Sequence, residues 1–197
     1  APENDRSPGG ACLYGARQLE AGVPWWKSGK PNPKGCGAAM RVAPLGAFHA
    51  GDSRTAALQA MRSAEVTHAH PEAMLGAVAV AVAAAECGWA RTTRDRPDPA
   101  ELLEVILAHL VDSRVRTGIE RAVRLLDVSV AEAAYELGNG SQVLAFDTVP
   151  FALWVAATRL EDYPAAIYAC VEAGGDVDTT AAIVGGIVAA YTGAGPG

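Results

Sequence analysis

The residues best suited to chemistry stand near the C-terminus, in Gly174-Gly175-Asp176-Val177-Asp178-Thr179-Thr180. Asp176 and Asp178 are two residues apart, the Thr179 hydroxyl follows directly, and the paired glycines free the backbone to turn. In a turn that leads into a helix these three side chains can aim their oxygens at one centre. Hard divalent cations such as Mg²⁺ take that all-oxygen surrounding. Asp and Thr also cap helices, because they accept the orphan N–H groups of a first turn. Spacing alone leaves both readings open. An EF-hand loop is excluded: counted from Asp176, its required glycine falls on Ala181 and its closing glutamate on Ile187.

Two further stretches carry chemical potential. In Gly35-Cys36-Gly37-Ala38-Ala39-Met40-Arg41, glycines precede a helix start, where free N–H groups and the helix dipole favour phosphate. The stretch has no third glycine of a dinucleotide fingerprint and no Gly-Lys-Ser/Thr of a P-loop. In Thr67-His68-Ala69-His70-Pro71 the two histidines can bind a metal, donate to a phosphate, or be fixed by local hydrogen bonds. Zinc takes at least three protein ligands, so the pair alone does not make a zinc site.

Composition narrows the field. Half of the 197 residues are hydrophobic, enough for one domain with a real core. The net charge of -6 argues against a nucleic-acid surface. The four cysteines, Cys12, Cys36, Cys87 and Cys170, form no Cys-x-x-Cys pair, which argues against zinc and redox motifs. They read as reduced thiols of a cytoplasmic protein. No signal peptide is expected from these residues. The uncharged run Ala73 to Ala85, bounded by Glu72 and Glu86, is too short to cross a bilayer and reads as a buried core helix, so no membrane partner is expected. The polar start at Ala1 reads as that of a fragment or a processed end.

The elements that must position these residues are helices. Residues 10–22 suit a short helix with Leu13, Ala16 and Leu19 on one side and Gly22 at its end. Trp25 and Trp26 follow in a Pro/Gly/Lys-rich loop and can line a ligand or, the simpler expectation, cover the core. The helix opened by Gly35 to Arg41 is expected to be interrupted at Pro44. Asp52 or Ser53 caps a helix with Ala56, Ala57, Ala60, Met61 and Ala64 at helical spacing. Pro71 starts the apolar helix, which Gly88 is expected to end, followed by a charged loop over 89–97. Asp98-Pro99-Ala100-Glu101 is a capping box, and Ser129 to Glu132 is another. Between them a helix spans Gly118 to Leu126. Gly138-Asn139-Gly140-Ser141 is a loop, and Asp147-Thr148-Val149-Pro150 starts the next helix. Asp162 caps a helix over 163–173, and the last runs from about Thr179 to Tyr191, its Gly185-Gly186 pair implying close approach to a neighbour. With no strand pattern, the fold class is all-α, with eight or so helices in a single domain.

Taken together, the motifs resemble the ADP-ribosylglycohydrolase family of the dinitrogenase-reductase-activating type. Gly35 to Gly46 looks like its glycine loop and following helix, and Thr67-His68 with Pro71 like its threonine–histidine motif. Gly138-Asn139-Gly140 with Asp147 to Trp154 looks like its next signature, and Gly174 to Thr180, continuing to Gly193, like its metal motif. Arg6-Ser7-Pro8-Gly9 fits the family's middle region. Motifs in this order are far more specific than any one alone, and they span nearly the whole chain.

The resemblance implies an orthogonal all-α bundle that holds two divalent cations, Mg²⁺ or Mn²⁺, and a hydrolase that releases ADP-ribose from protein side chains or small ADP-ribosyl compounds. It implies Asp176, Asp178 and Thr179 as metal ligands, with Lys34, Gly35, Cys36 and Gly37 along the diphosphate and His68 helping to hold it. In the family an N-terminal segment carries a glycine–aspartate motif and an Asp-Asp-Thr motif, which supply further ligands and the catalytic base. Neither motif occurs here, so the base is expected in a segment beyond this chain and the chain reads as the C-terminal two-thirds of the fold. Two alternatives stand beside the hydrolase: a non-catalytic ADP-ribose-binding module, and a structural helical scaffold in which Asp176 and Asp178 are only caps.

Overall fold

The structure is a computed structural model that describes residues 9–32 and 34–193. Its centre is the fifth helix in chain order, α5 (Pro71–Thr93), which starts where proline costs nothing, at the first helical position. The His70 ring accepts the Glu72 N–H at 3.1 Å and caps it. Ala73 and every residue from Leu75 to Ala85 are buried, because an alanine-rich helix that is apolar all round can be covered on every side. This helix is long and apolar enough to cross a membrane, but 83% of its apolar window is buried inside the protein.

Four helices surround α5: α3 (Ala43–Phe48), α4 (Ser53–Glu65), α9 (Ala145–Thr158) and α11 (Val177–Thr192). Missing side chains set their distances. A Cβ on Gly46 of α3 would collide with the Ala81 backbone of α5. A Cβ on Gly76 would stand 3.1 Å from that of Ala145 on α9. On α11, a Cβ at Gly186 would stand 2.6 Å from that of Ala43, and one at Gly185 2.9 Å from the Tyr163 hydroxyl. The close approach expected of Gly185-Gly186 is therefore present. An outer layer is formed by α6 (Pro99–Leu107), α7 (Arg114–Val123), α8 (Val130–Leu137) and α10 (Tyr163–Ala173). The Asp98–Glu101 capping box, the Ser129 cap and the Asp162 cap all form.

Among the described residues no strand occurs, and the all-α expectation holds. Several element boundaries differ from the sequence reading. Gly88 does not end α5. It lies inside the helix because α3 passes close by, with 3.1 Å left between a Cβ there and that of Ala50. The helix ends instead at Arg94, in left-handed conformation with φ 58°. Gly118 is likewise internal to α7, which begins at Arg114, and a side chain there would strike the Pro150 ring. Pro44 does not interrupt a helix. Residues Ala39–Arg41 form a 3-10 turn, and Pro44 sits in the first turn of α3.

At the N-terminal side, α1 (Gly10–Glu20) and the short α2 (Trp25–Ser28) lie against the outside of the bundle. The core cover expected of Trp25 and Trp26 is only partial, since they are 40% and 56% exposed, and Leu13 and Leu19 of α1 are each 41% exposed. The buried residue of α1 is Gly15, pressed on the Val66 carbonyl. Arg6-Ser7-Pro8 lies outside the described residues.

Candidate active site

One cleft of about 460 Å³ collects most of the residues singled out from the sequence. Lys34, Gly35, Cys36, Gly37, His68 and Thr179 all line it, joined by Met40, Val143 and Leu144. Three elements bring the singled-out residues to it, and the start of α1 lines it as well. The 34–37 loop is anchored at its base, where the Lys34 carbonyl accepts the Ala145 N–H at the head of α9 at 2.8 Å. His68 arrives on a tight link between α4 and α5. Its neighbours are pinned by a single bridge to Lys30: the Lys30 N–H donates to the Thr67 carbonyl and the Ala69 N–H to the Lys30 carbonyl, each at 3.0 Å. Thr179 stands in the first turn of α11.

Gly37 and His68 fit face to face. A Cβ on Gly37 would lie 2.9 Å from both Cε1 and Nε2 of the ring, so glycine is required for the imidazole to reach this position. His68 is 5% exposed. Burial, reinforced by the Arg41 charge, lowers its pKa to about 4, so the ring is neutral at physiological pH. Cys36 is buried beside Thr148, Thr179 and Asp176, and burial raises its thiol pKa. Such burial disfavours the thiolate form.

The acidic turn adjoins this cleft through Cys36 and Thr179. Asp176 occupies the N-cap position of α11 but makes no capping side-chain hydrogen bond. The Thr179 N–H and hydroxyl are near enough to lower its pKa, yet burial and the hydrogen bond it shares with Asp178 outweigh them and raise it. The same hydrogen bond lowers the pKa of Asp178. Two carboxylates this close repel when both are ionised, and a shared proton or a cation relieves that. Asp176 is half-buried and Asp178 is exposed, and of the expected ligand set only Thr179 lines the cleft itself. The oxygen-only donor set Asp176, Asp178 and Thr179 suits a hard cation but gives only part of a shell. No group of three or more His, Cys, Asp and Glu residues able to hold a metal occurs among the described residues.

The loop between α8 and α9 holds this turn. The Asn139 carbonyl accepts the Asp176 N–H at 3.1 Å, and its side-chain amide donates to the Ala173 carbonyl at 2.9 Å. Gly140, at φ +86°, leaves only 2.8 Å between a would-be Cβ and that of Asp176. Asp147, expected to start the helix, does something else. α9 already begins at Ala145, and the buried carboxylate accepts the backbone N–H of Gln142 at 2.8 Å and its side-chain amide at 3.1 Å, clasping the loop. Sequence reasoning missed Asn139 and Gly140 as supports of the acidic turn. The Gly-Asn-Gly string marked a loop, with no local sign of what it would touch. Arg41 was missed as well. Its guanidinium reaches Thr67, 26 residues along the chain, at 3.0 Å.

The family model described as ADP-ribosylglycohydrolase matches residues 2–195. A protein of Archaeoglobus fulgidus, itself described as uncharacterized, is 36% identical over 186 residues, which is 93% of this chain. The chain spans 58% of that relative's length. With motifs, helical architecture and family match in accord, the chain belongs to the ADP-ribosylglycohydrolase family.

Proposed function

We propose that this chain forms the ADP-ribose-binding side, and part of the metal-binding side, of a hydrolase that releases ADP-ribose from a protein side chain or a small ADP-ribosyl compound. The observation that carries the reading is the convergence of the Lys34–Gly37 loop, His68 and Thr179 on one cleft, with Asp176 and Asp178 at its border. Its volume of about 460 Å³ is within the range of small-molecule sites. The loop amides and the His68 ring would take the diphosphate. Asp176, Asp178 and Thr179 would hold Mg²⁺ or Mn²⁺. Such an ion supplies Lewis acidity toward ribose oxygens and the reacting water. The described residues lining the cleft include no carboxylate, so the reading places the base outside this lining and assigns it to no residue of the chain. Four unpaired cysteines support a cytoplasmic location.

Calorimetry with ADP-ribose, with and without Mn²⁺, tests this. Saturable binding is expected, at least about tenfold weaker in His68→Ala and strengthened by Mn²⁺ only while Asp176 and Asp178 are intact. Absence of binding at millimolar ADP-ribose would overturn the reading. The incomplete donor set favours a second reading, a non-catalytic ADP-ribose-binding module. That reading predicts the same affinity with and without Mn²⁺.

A further inference from the structure

We propose that Arg41 and Thr67 are positioning residues that lock His68 in its Nε2–H tautomer, presenting one fixed donor to an anionic oxygen beside Gly37. The inference rests on the reading of the cleft as a diphosphate site. It is carried by a chain of three groups. Arg41 Nη2 donates to Thr67 Oγ1 at 3.0 Å and to the Ser63 carbonyl at 2.9 Å. Thr67 Oγ1 stands 2.8 Å from His68 Nδ1. Thr67 and His68 are both buried.

The direction of the chain follows from its first member. A guanidinium has only hydrogens to give, so Thr67 Oγ1 accepts from Arg41. The hydroxyl has one hydrogen, and among the described residues His68 Nδ1 is the acceptor in place for it. If Nδ1 carried the proton instead, Thr67 Oγ1 would receive two N–H groups and its own hydrogen would be buried without an acceptor, which is costly. Nδ1 is therefore bare, and the single ring proton sits on Nε2. The Cε1–Nε2 edge is the one turned to Gly37 and the cleft. A neutral ring that can only donate there suits a phosphate oxygen. The opposite tautomer would present a lone pair and repel it.

The test reads the ring directly. In protein labelled with ¹⁵N-histidine, long-range ¹H–¹⁵N correlation spectra at pH 7.5 should show His68 with bare Nδ1 and protonated Nε2. Thr67→Val keeps the side-chain shape and removes the relay. It should mix the tautomers and weaken ADP-ribose binding about tenfold, and Thr67→Ser should restore both. A wild-type ring protonated on Nδ1 overturns the relay whatever ADP-ribose does. So does a Thr67→Val protein with unchanged tautomer and affinity. If the wild-type ring is protonated on Nε2 but ADP-ribose does not bind, the relay stands as the fixing of the tautomer and the diphosphate reading falls.

Discussion

At the starts of α4, α6 and α10, the aspartates Asp52, Asp98 and Asp162 accept the N–H groups of Thr55, Ala100 and Ala165 at 3.0, 2.8 and 2.9 Å. At the start of α11, Asp176 holds the same position and makes no such bond. Its pKa moves up, whereas that of Asp52 moves down through the Thr55 hydroxyl and N–H. Residue type and helix position are the same, so the difference comes from the surroundings. At α11 the Asn139 carbonyl takes the Asp176 N–H, the missing side chain of Gly140 lets Asp176 close on the loop, and the Asp176 carboxylate lies near Asp178 and Cys36. An acid freed from capping, next to another acid, is held there at a cost to the fold, which is the expected signature of a functional group.

The change expected to damage this contrast most is Gly140→Val. It places a β-branched side chain at φ +86° and against Asp176. Urea denaturation should give a loss of about 2–4 kcal/mol, with Mn²⁺ binding abolished. Wild-type stability would mean that the loop does not hold the turn.

Acid titration separates the cleft from the caps in another way. His68 has a folded-state pKa of about 4, against about 6.5 in an unfolded chain. Between these values the unfolded state binds the extra proton, so stability is full above pH 6.5 and falls as pH drops toward 4. The loss attributable to this ring should be about 1–3 kcal/mol. Comparing the pH slopes of wild type and His68→Gln isolates it, because the carboxylate contributions are common to both. Equal slopes would contradict a buried neutral ring.

A smaller and sharper pair is Asp162→Ala against Asp176→Ala. The first should lower stability by about 1 kcal/mol through the lost cap. The second should cost less than about 0.5 kcal/mol, since only the weak approach of the Thr179 N–H is lost and carboxylate repulsion is relieved. Equal losses would make Asp176 an ordinary cap. The smallest effect concerns thiols. Iodoacetamide at pH 8 should label the half-buried Cys12 and spare Cys87, whose buried thiol is pushed up to about 12.

The helices were legible where sequence carries its own punctuation. The Asp98–Glu101 box, the Asp162 cap and Gly138 at φ +91° fix their ends locally. Gly88 and Gly118 misled because the same residue marks a helix end and a helix contact, and only the neighbour decides. Here Ala50 and Pro150 make them contacts. Trp25 and Trp26 misled because apolar residues on a short outer helix need not find a core. At the site, the glycine loop, Thr67-His68 and Gly174 to Thr180 could be named in advance. Their supports could not. Arg41 to Thr67, Asn139 to Asp176 and Asp147 to Gln142 are contacts of loops whose paths the sequence does not encode in any period.

The central claim is that the acidic turn of α11 is kept for a cation at the edge of the cleft. Its most direct test is Mn²⁺ titration of the chain followed by electron paramagnetic resonance, in wild type and in the Asp176→Asn/Asp178→Asn double variant. Asparagine keeps a capping oxygen and removes the charge. The account predicts weak, saturable binding of Mn²⁺ to wild type and its loss in the variant at unchanged stability. Equal binding by both proteins, or none by wild type at millimolar Mn²⁺, would contradict it.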